Sequence, residues 1–210
     1  MSSFDAAIRH LSAADPILGE VIKSTPTLPD IVQHTDYYQA LVDSIISQQL
    51  SVKAAYAIEE RFKLLFDGHF PSPEEILSQD IEALRSAGLS RPKARYIQDL
   101  AQHIISGEVR FDTIDDLSNN EIIHKLTQVK GIGEWTAHMF LIFCMARLDI
   151  LPVGDLGIRN GIKKLYNLDA APTMEEVAAI ATAKGWHPYE SVASWYIWHS
   201  LDNKPEVAVK

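Results

Sequence analysis

The sequence predicts an all-α protein of roughly ten short helices grouped in two lobes, and three features carry that expectation. Apolar side chains recur at three- and four-residue spacing in one segment after another. No run of alternating β-branched residues is bounded by hairpin turns. Ser and Thr stand repeatedly where a helix start needs a side-chain acceptor, in several places with Glu three residues on.

In chain order, Tyr38, Leu41, Val42, Ile45 and Ile46 form one stripe of a helix over 37–46. Ser51 caps a second helix, in which Ala54, Ala55, Ile58, Phe62 and Leu65 continue the pattern to about Phe66. Ser72-Pro73-Glu74-Glu75 supplies a cap, a first-turn proline and first-turn acids. Gly88 ends a short helix. Ser90 starts the next, which buries Ala94, Ile97, Leu100, Ala101, Ile104 and Ile105. Ser118-Asn119-Asn120-Glu121 and Thr173-Met174-Glu175-Glu176 have capping-box spacing. A last helix over 188–201 has Val192, Trp195, Tyr196 and Trp198 to bury in the core. Pro-rich stretches fall at 26–29, 71–73 and 152, and the first and last suggest boundaries. One lobe is expected over 36–148, with a helical hairpin at about 118–147. Residues 1–35 and 149–210 form the other, with a site in the cleft between them.

The chain has 210 residues, of which 47% are hydrophobic, which argues against disorder over most of its length. A lone Cys144 excludes a disulfide framework, a Cys-ligated zinc site and a Cys-held iron–sulfur cluster. No apolar run reaches the ~18 residues of a membrane span. Met1-Ser2-Ser3-Phe4-Asp5 lacks the basic end and apolar stretch of a signal peptide. A soluble intracellular protein without a membrane partner is expected: cytoplasmic or nucleoid-associated in a bacterium, nuclear in a eukaryote.

A net charge of −9 speaks against a nucleic-acid partner, but the charge is uneven. Residues 85–97 hold four bases and no acid, and residues 123–165 hold six bases against three acids, which leaves −16 on the rest of the chain. If DNA is the partner, both windows are expected on the face of the cleft and the acidic remainder on the far side.

The most informative stretch is Leu126-Thr127-Gln128-Val129-Lys130-Gly131-Ile132-Gly133-Glu134-Trp135-Thr136-Ala137. A capped helix runs into Val129, Gly-Ile-Gly reverses the chain, and an apolar helix follows through Met139, Phe140, Ile142 and Phe143. Glycines allow the reversal and leave the first N–H groups of the second helix pointing outward, where a phosphate fits. The same glycines would serve an ordinary αα-hairpin. Beyond it, Leu151-Pro152-Val153-Gly154-Asp155 places an Asp where a new helix begins, a good N-cap whether or not it does chemistry.

Together these stretches resemble the helix-hairpin-helix (HhH-GPD) superfamily of DNA glycosylases, and more narrowly the alkylpurine glycosylases of the 3-methyladenine DNA glycosylase II (AlkA) type. The likeness extends to Ile45-Ile46-Ser47-Gln48-Gln49-Leu50-Ser51, to Gly88-Leu89-Ser90-Arg91-Pro92-Lys93-Ala94 and to Trp186-His187-Pro188-Tyr189, and so spans about 36–200. It implies two helical lobes with the active site in the cleft, in a compact form without the N-terminal β-rich domain of the best-known member. It also implies base flipping and hydrolysis of the N-glycosidic bond of alkylated purines such as 3-methyladenine and 7-methylguanine in double-stranded DNA.

The resemblance assigns residues as well. Asp155 stands at the family's catalytic Asp, near a sugar that develops oxocarbenium charge. Two positions after the second hairpin glycine, where strand-cutting relatives carry a Schiff-base Lys, this chain has Trp135, which implies a monofunctional enzyme without AP lyase activity. Trp135 and Tyr189 match base-pocket positions, with Trp186 in support, and aromatic faces suit a cationic alkylated purine. Met139 and Leu156 stand where other members can carry aromatics, and some have Trp at the place of Tyr189, so the damage spectrum stays open. Gln49 or Leu50 would fill the gap left by the flipped base. Lys130, Gly131, Ile132, Gly133 and Thr136 at the hairpin, with Arg91 and Lys93, would contact DNA. No cofactor is required, although the carbonyls of Thr127, Val129 and Ile132 match those that hold a Na⁺ or K⁺ ion in some relatives. A monomer is expected. The alternatives are a glycosylase for deaminated or oxidised bases using the same Asp155, a non-catalytic DNA-binding module, and a helical adaptor.

Overall fold

A computed structural model describes residues 3–25 and 33–201. The 26–29 stretch, read above as a boundary, lies outside them. In chain order the helices are α1 (Ser3–Ala14), α2 (Pro16–Ser24), α3 (Tyr37–Ser47), α4 (Val52–Leu64), α5 (Pro73–Ser78), α6 (Ile81–Ser86), α7 (Arg91–Ile105), α8 (Asn119–Leu126), α9 (Glu134–Met139), α10 (Leu156–Leu165), α11 (Met174–Ala183) and α12 (Glu190–His199). A 3₁₀ turn covers Ile114–Asp116 and a π-helical turn Phe140–Cys144. The described residues contain no strand, and the fold is all-α.

The starts of these helices are dictated locally. Ser72, Ser118 and Thr173 close full capping boxes with Glu75, Glu121 and Glu176. Ser51 and Ser90 accept single bonds from Ala54 and Lys93 N–H. Two compact units result. His34–Phe140 makes one, whose core holds Leu41, Val42, Ile45, Phe62, Ile97, Leu100 and Leu126. The other is built from residues 1–33 and 141–205. Its edge at Leu141, rather than at 149, has a packing cause. Phe143 stacks on Trp198 (centroids 6.0 Å apart, planes at 29°) and meets Trp195 edge-on at 5.9 Å. Ser191 Oγ donates to the Arg147 carbonyl at 2.7 Å and accepts from Ile150 N–H at 3.0 Å. Residues 141–150 are therefore bound to α12.

The second unit is organised around a buried charge. Asp15 has no exposed surface. Its Oδ1 caps α2, accepting from Ile17 N–H at 3.1 Å and Leu18 N–H at 3.3 Å. Its Oδ2 accepts from Trp186 Nε1 at 2.9 Å and from the Tyr166 hydroxyl. Burial, with the Asp15 bond in second place, pushes the Tyr166 hydroxyl far above its ordinary range. Removing the acceptor leaves a buried indole N–H and a half-buried phenol unpaired together with two N-terminal amides. Asp15→Ala is therefore expected to lower stability by about 3 kcal/mol, read as a drop in urea midpoint at unchanged slope.

Candidate active site

In the His34–Phe140 unit, three of the sequence motifs converge. The turn between α3 and α4 carries Gln49 at its apex with φ +58°, and both Gln49 and Leu50 are exposed. Its neighbour Gln48 reaches across to the hairpin, where Nε2 donates to the Gly131 carbonyl at 2.9 Å. Lys93, at the start of α7, donates from Nζ to the carbonyls of Ile46 (2.9 Å) and Gln48 (2.6 Å). It thereby satisfies carbonyls that the end of α3 leaves open. Burial lowers its pKa. Lys93 is thus a strut of the turn.

The hairpin itself is pinned from α7. Asp99 accepts from Lys130 N–H and from Lys130 Nζ, each at 2.8 Å. Burial pushes the Asp99 carboxyl up, but the two Lys130 bonds and the lysine charge outweigh it and hold the group below its usual range. Gly131 has φ +85°, and a Cβ there would sit 2.2 Å from the Tyr96 ring. Gly133 differs: it is the exposed N-cap of α9, with nothing within 4 Å of a Cβ. The side chain of Ile132 is buried and its N–H turns back to the Val129 carbonyl at 3.1 Å. Thr136 is buried at 7% exposure, so its side chain belongs to the core rather than to an outward contact. Arg91 is exposed and ion-paired with Glu82. Arg91 and Lys130 are each paired with an acid outside their own helix or turn, Glu82 and Asp99, which charge counting along the sequence could not reveal.

Aromatic exposure separates the expected pocket residues. Trp135 is 53% exposed and Leu156 64%. Met139 and Tyr189 are half-buried, Tyr189 with its ring 5.2 Å from His10. Trp186 is fully buried, with its Nε1 donating to Asp15 Oδ2.

In the other unit, Asp155 is the N-cap of α10. Its Oδ1 accepts from Ile158 N–H at 2.8 Å and from Trp198 Nε1 at 2.8 Å. Asp155 is half-buried. The Pro152-Val153-Gly154 turn delivers it, with Asp155 N–H donating to the Pro152 carbonyl at 2.9 Å. Sequence reasoning identified the cap and assigned Trp198 to the core. Gln48, Tyr96 and Asp99 were likewise missed, because each acts on a residue more than thirty positions away.

Among the described residues no group of His, Cys, Asp and Glu side chains could hold a metal, and no helix is long and apolar enough to cross a membrane.

The model of the HhH-GPD superfamily of base excision DNA repair proteins matches residues 42–187. DNA-3-methyladenine glycosylase 1 of Schizosaccharomyces pombe is 37% identical over 202 residues, 94% of this chain and 88% of the relative. A putative DNA-3-methyladenine glycosylase of Bacillus subtilis is 34% identical over 79% of this chain and 59% of its own length. Among solved structures, the S. pombe 3-methyladenine DNA glycosylase in complex with abasic DNA superposes with a TM-score of 0.79 at 37% identity, covering 94% of this chain and 97% of that one. The DNA-3-methyladenine glycosidase of Bacillus halodurans gives a TM-score of 0.80 at 38% identity, over 92% and 88%.

Two measurements test the hairpin. Gly131→Ala is expected to cost about 2–4 kcal/mol, through its φ and the Tyr96 clash, whereas Gly133→Ala stays within about 0.5 kcal/mol in urea unfolding. A carboxyl held below its unfolded range stabilises the fold at neutral pH and loses that effect as pH falls. The stability gap between the parent and Asp99→Asn is thus expected at pH 7 and should close as pH drops below about 4.

Proposed function

The chain belongs to the HhH-GPD superfamily of base excision DNA repair proteins, and from that membership we propose that it is a monofunctional glycosylase that removes alkylated purines from double-stranded DNA. The observation that carries the chemistry is Asp155, a carboxylate held by two donors at the start of α10. The names of the similar proteins in S. pombe and B. subtilis, DNA-3-methyladenine glycosylases, support the substrate class.

In this reading the damaged nucleotide leaves the stack before reaction. The C1′–N bond breaks, its electron pair departs with the base, and positive charge grows on the sugar. The Asp155 carboxylate stabilises that charge and takes a proton from the water whose oxygen bonds to C1′. Trp135, exposed and electron-rich, is the residue we assign to stacking on a cationic base, and Tyr189, Met139 and Leu156 are assigned to base recognition by resemblance alone. No amine stands at Trp135 to form a Schiff base, so the abasic strand is left intact. Gly133 and the first turn of α9 are assigned to phosphate. Gln49, at the apex of its turn with φ +58°, is favoured over Leu50 as the residue that enters the duplex.

The donor set for a hairpin cation is three neutral carbonyl oxygens, of Thr127, Val129 and Ile132, with no acid among them, which suits Na⁺ or K⁺. That ion would add positive charge beside the phosphate. We place the protein as a monomer with the DNA it repairs, in the nucleoid or the nucleus.

The test is a duplex treated with a methylating agent. Release of 3-methyladenine and 7-methylguanine is expected, with strand breaks only after alkali. Breaks without alkali would contradict the assignment of Trp135. Asp155→Asn keeps a good N-cap, so its melting temperature should hold while excision falls by about a hundredfold or more. Release of deaminated or oxidised bases, with alkylated purines untouched, would favour a different substrate for the same carboxylate.

A further inference from the structure

We infer that Trp198 is a positioning residue for the Asp155 carboxylate, an inference that rests on the glycosylase reading above. Packing alone does not require an indole here. Trp198 is 5% exposed, and Phe143 stacks on its ring, work that any aromatic of similar size would do. The N–H is the additional feature, and it is aimed at Asp155 Oδ1, 2.8 Å away. The same oxygen receives the Ile158 N–H from α10 itself, so donors from two different helices converge on it. The cap bond from α10 and the donor from α12 together restrict the turning of the carboxylate about its side-chain torsions.

The backbone is shaped to allow this approach. A Cβ at Gly157 would lie 2.9 Å from Trp198 Cδ1, 3.1 Å from its Nε1 and 3.0 Å from Asp155 Oδ1. One turn on, a Cβ at Gly161 would lie 2.3 Å from Ile197 Cγ2. Both glycines face α12, and they bring it close enough for the indole to reach the cap of α10. Trp198 touches no reacting atom in this scheme. It keeps Asp155 in the geometry that the growing positive charge meets, which is electrostatic preorganisation.

The experiment changes one atom. Trp198 is replaced by benzothienylalanine, in which sulfur stands for the N–H, and in parallel Trp198→Phe is made. The readouts are the single-turnover rate of 7-methylguanine release, the affinity for an abasic-site duplex and the melting temperature. The expected result is a fall in rate of about tenfold in the benzothienyl protein, with affinity and melting temperature unchanged. Neither replacement should slow Asp155→Asn further. An unchanged rate in the benzothienyl protein, a matching loss of affinity, or a rate loss that persists in full on the Asp155→Asn background would overturn the inference. If Asp155→Asn is inactive and the benzothienyl protein fully active, only the role of Trp198 falls. Parental activity in Asp155→Asn would overturn the catalytic reading itself, and this inference with it.

Discussion

A carboxylate without solvent cannot be left to find partners by chance, and Asp15 is such a group. Taking such a group out of water costs several kcal/mol, so each donor around it contributes to the stability of the fold. Those donors come from three distant parts of the chain: the first turn of α2, Tyr166 at the end of α10, and Trp186 just before α12. The far end of the same helix pair repeats the arrangement. There Asp155 begins α10 and receives the indole of Trp198 near the end of α12. The two helices thus run in opposite senses between two Asp–Trp hydrogen bonds, with Gly157 and Gly161 allowing the close approach between them. One pair is closed to water and structural. The other is half-open, and it carries the residue to which chemistry is assigned.

The hairpin unit solves a different problem, that of holding an irregular segment in one shape. Residues 127–133 form no helix, so their position depends on side chains from α7 and from the α3–α4 turn. Tyr96 fills the space that a Cβ at Gly131 would need, Asp99 grips Lys130 from two sides, and Gln48 holds the Gly131 carbonyl. Through Lys93, the same α7 also fixes the turn that presents Gln49 and Leu50. Two surfaces assigned to DNA are therefore referenced to a single helix, which gives them a common register.

Helix starts were legible in the sequence because their signals are local. Ser72, Ser118 and Thr173 each bond within three residues, and the reading from type and spacing needed no tertiary knowledge. Asp155 was legible for the same reason. The first two helices were not proposed, although Asp15-Pro16 is itself a cap followed by a first-turn proline. What the sequence hid was partnership at long range. Asp15 meets Trp186 across 171 positions, and Asp155 meets Trp198 across 43. Nothing in the composition separates an indole that packs from one that donates. Lys93 shows the same limit: nothing in the sequence reveals that its ammonium meets the carbonyls of Ile46 and Gln48.

The double duty of Asp155 bears on how such a chain can change over generations. Residues that do chemistry commonly weaken the fold that holds them, so selection for stability tends to erode activity. At this position the two pressures coincide, because the carboxylate assigned to catalysis is also the cap of α10. Asn is the replacement that preserves the cap most closely while giving up the negative charge. A descendant freed from the need to cut a glycosidic bond would have an easy route to a silent state: one substitution, an intact helix, and a DNA-shaped surface left without its reaction.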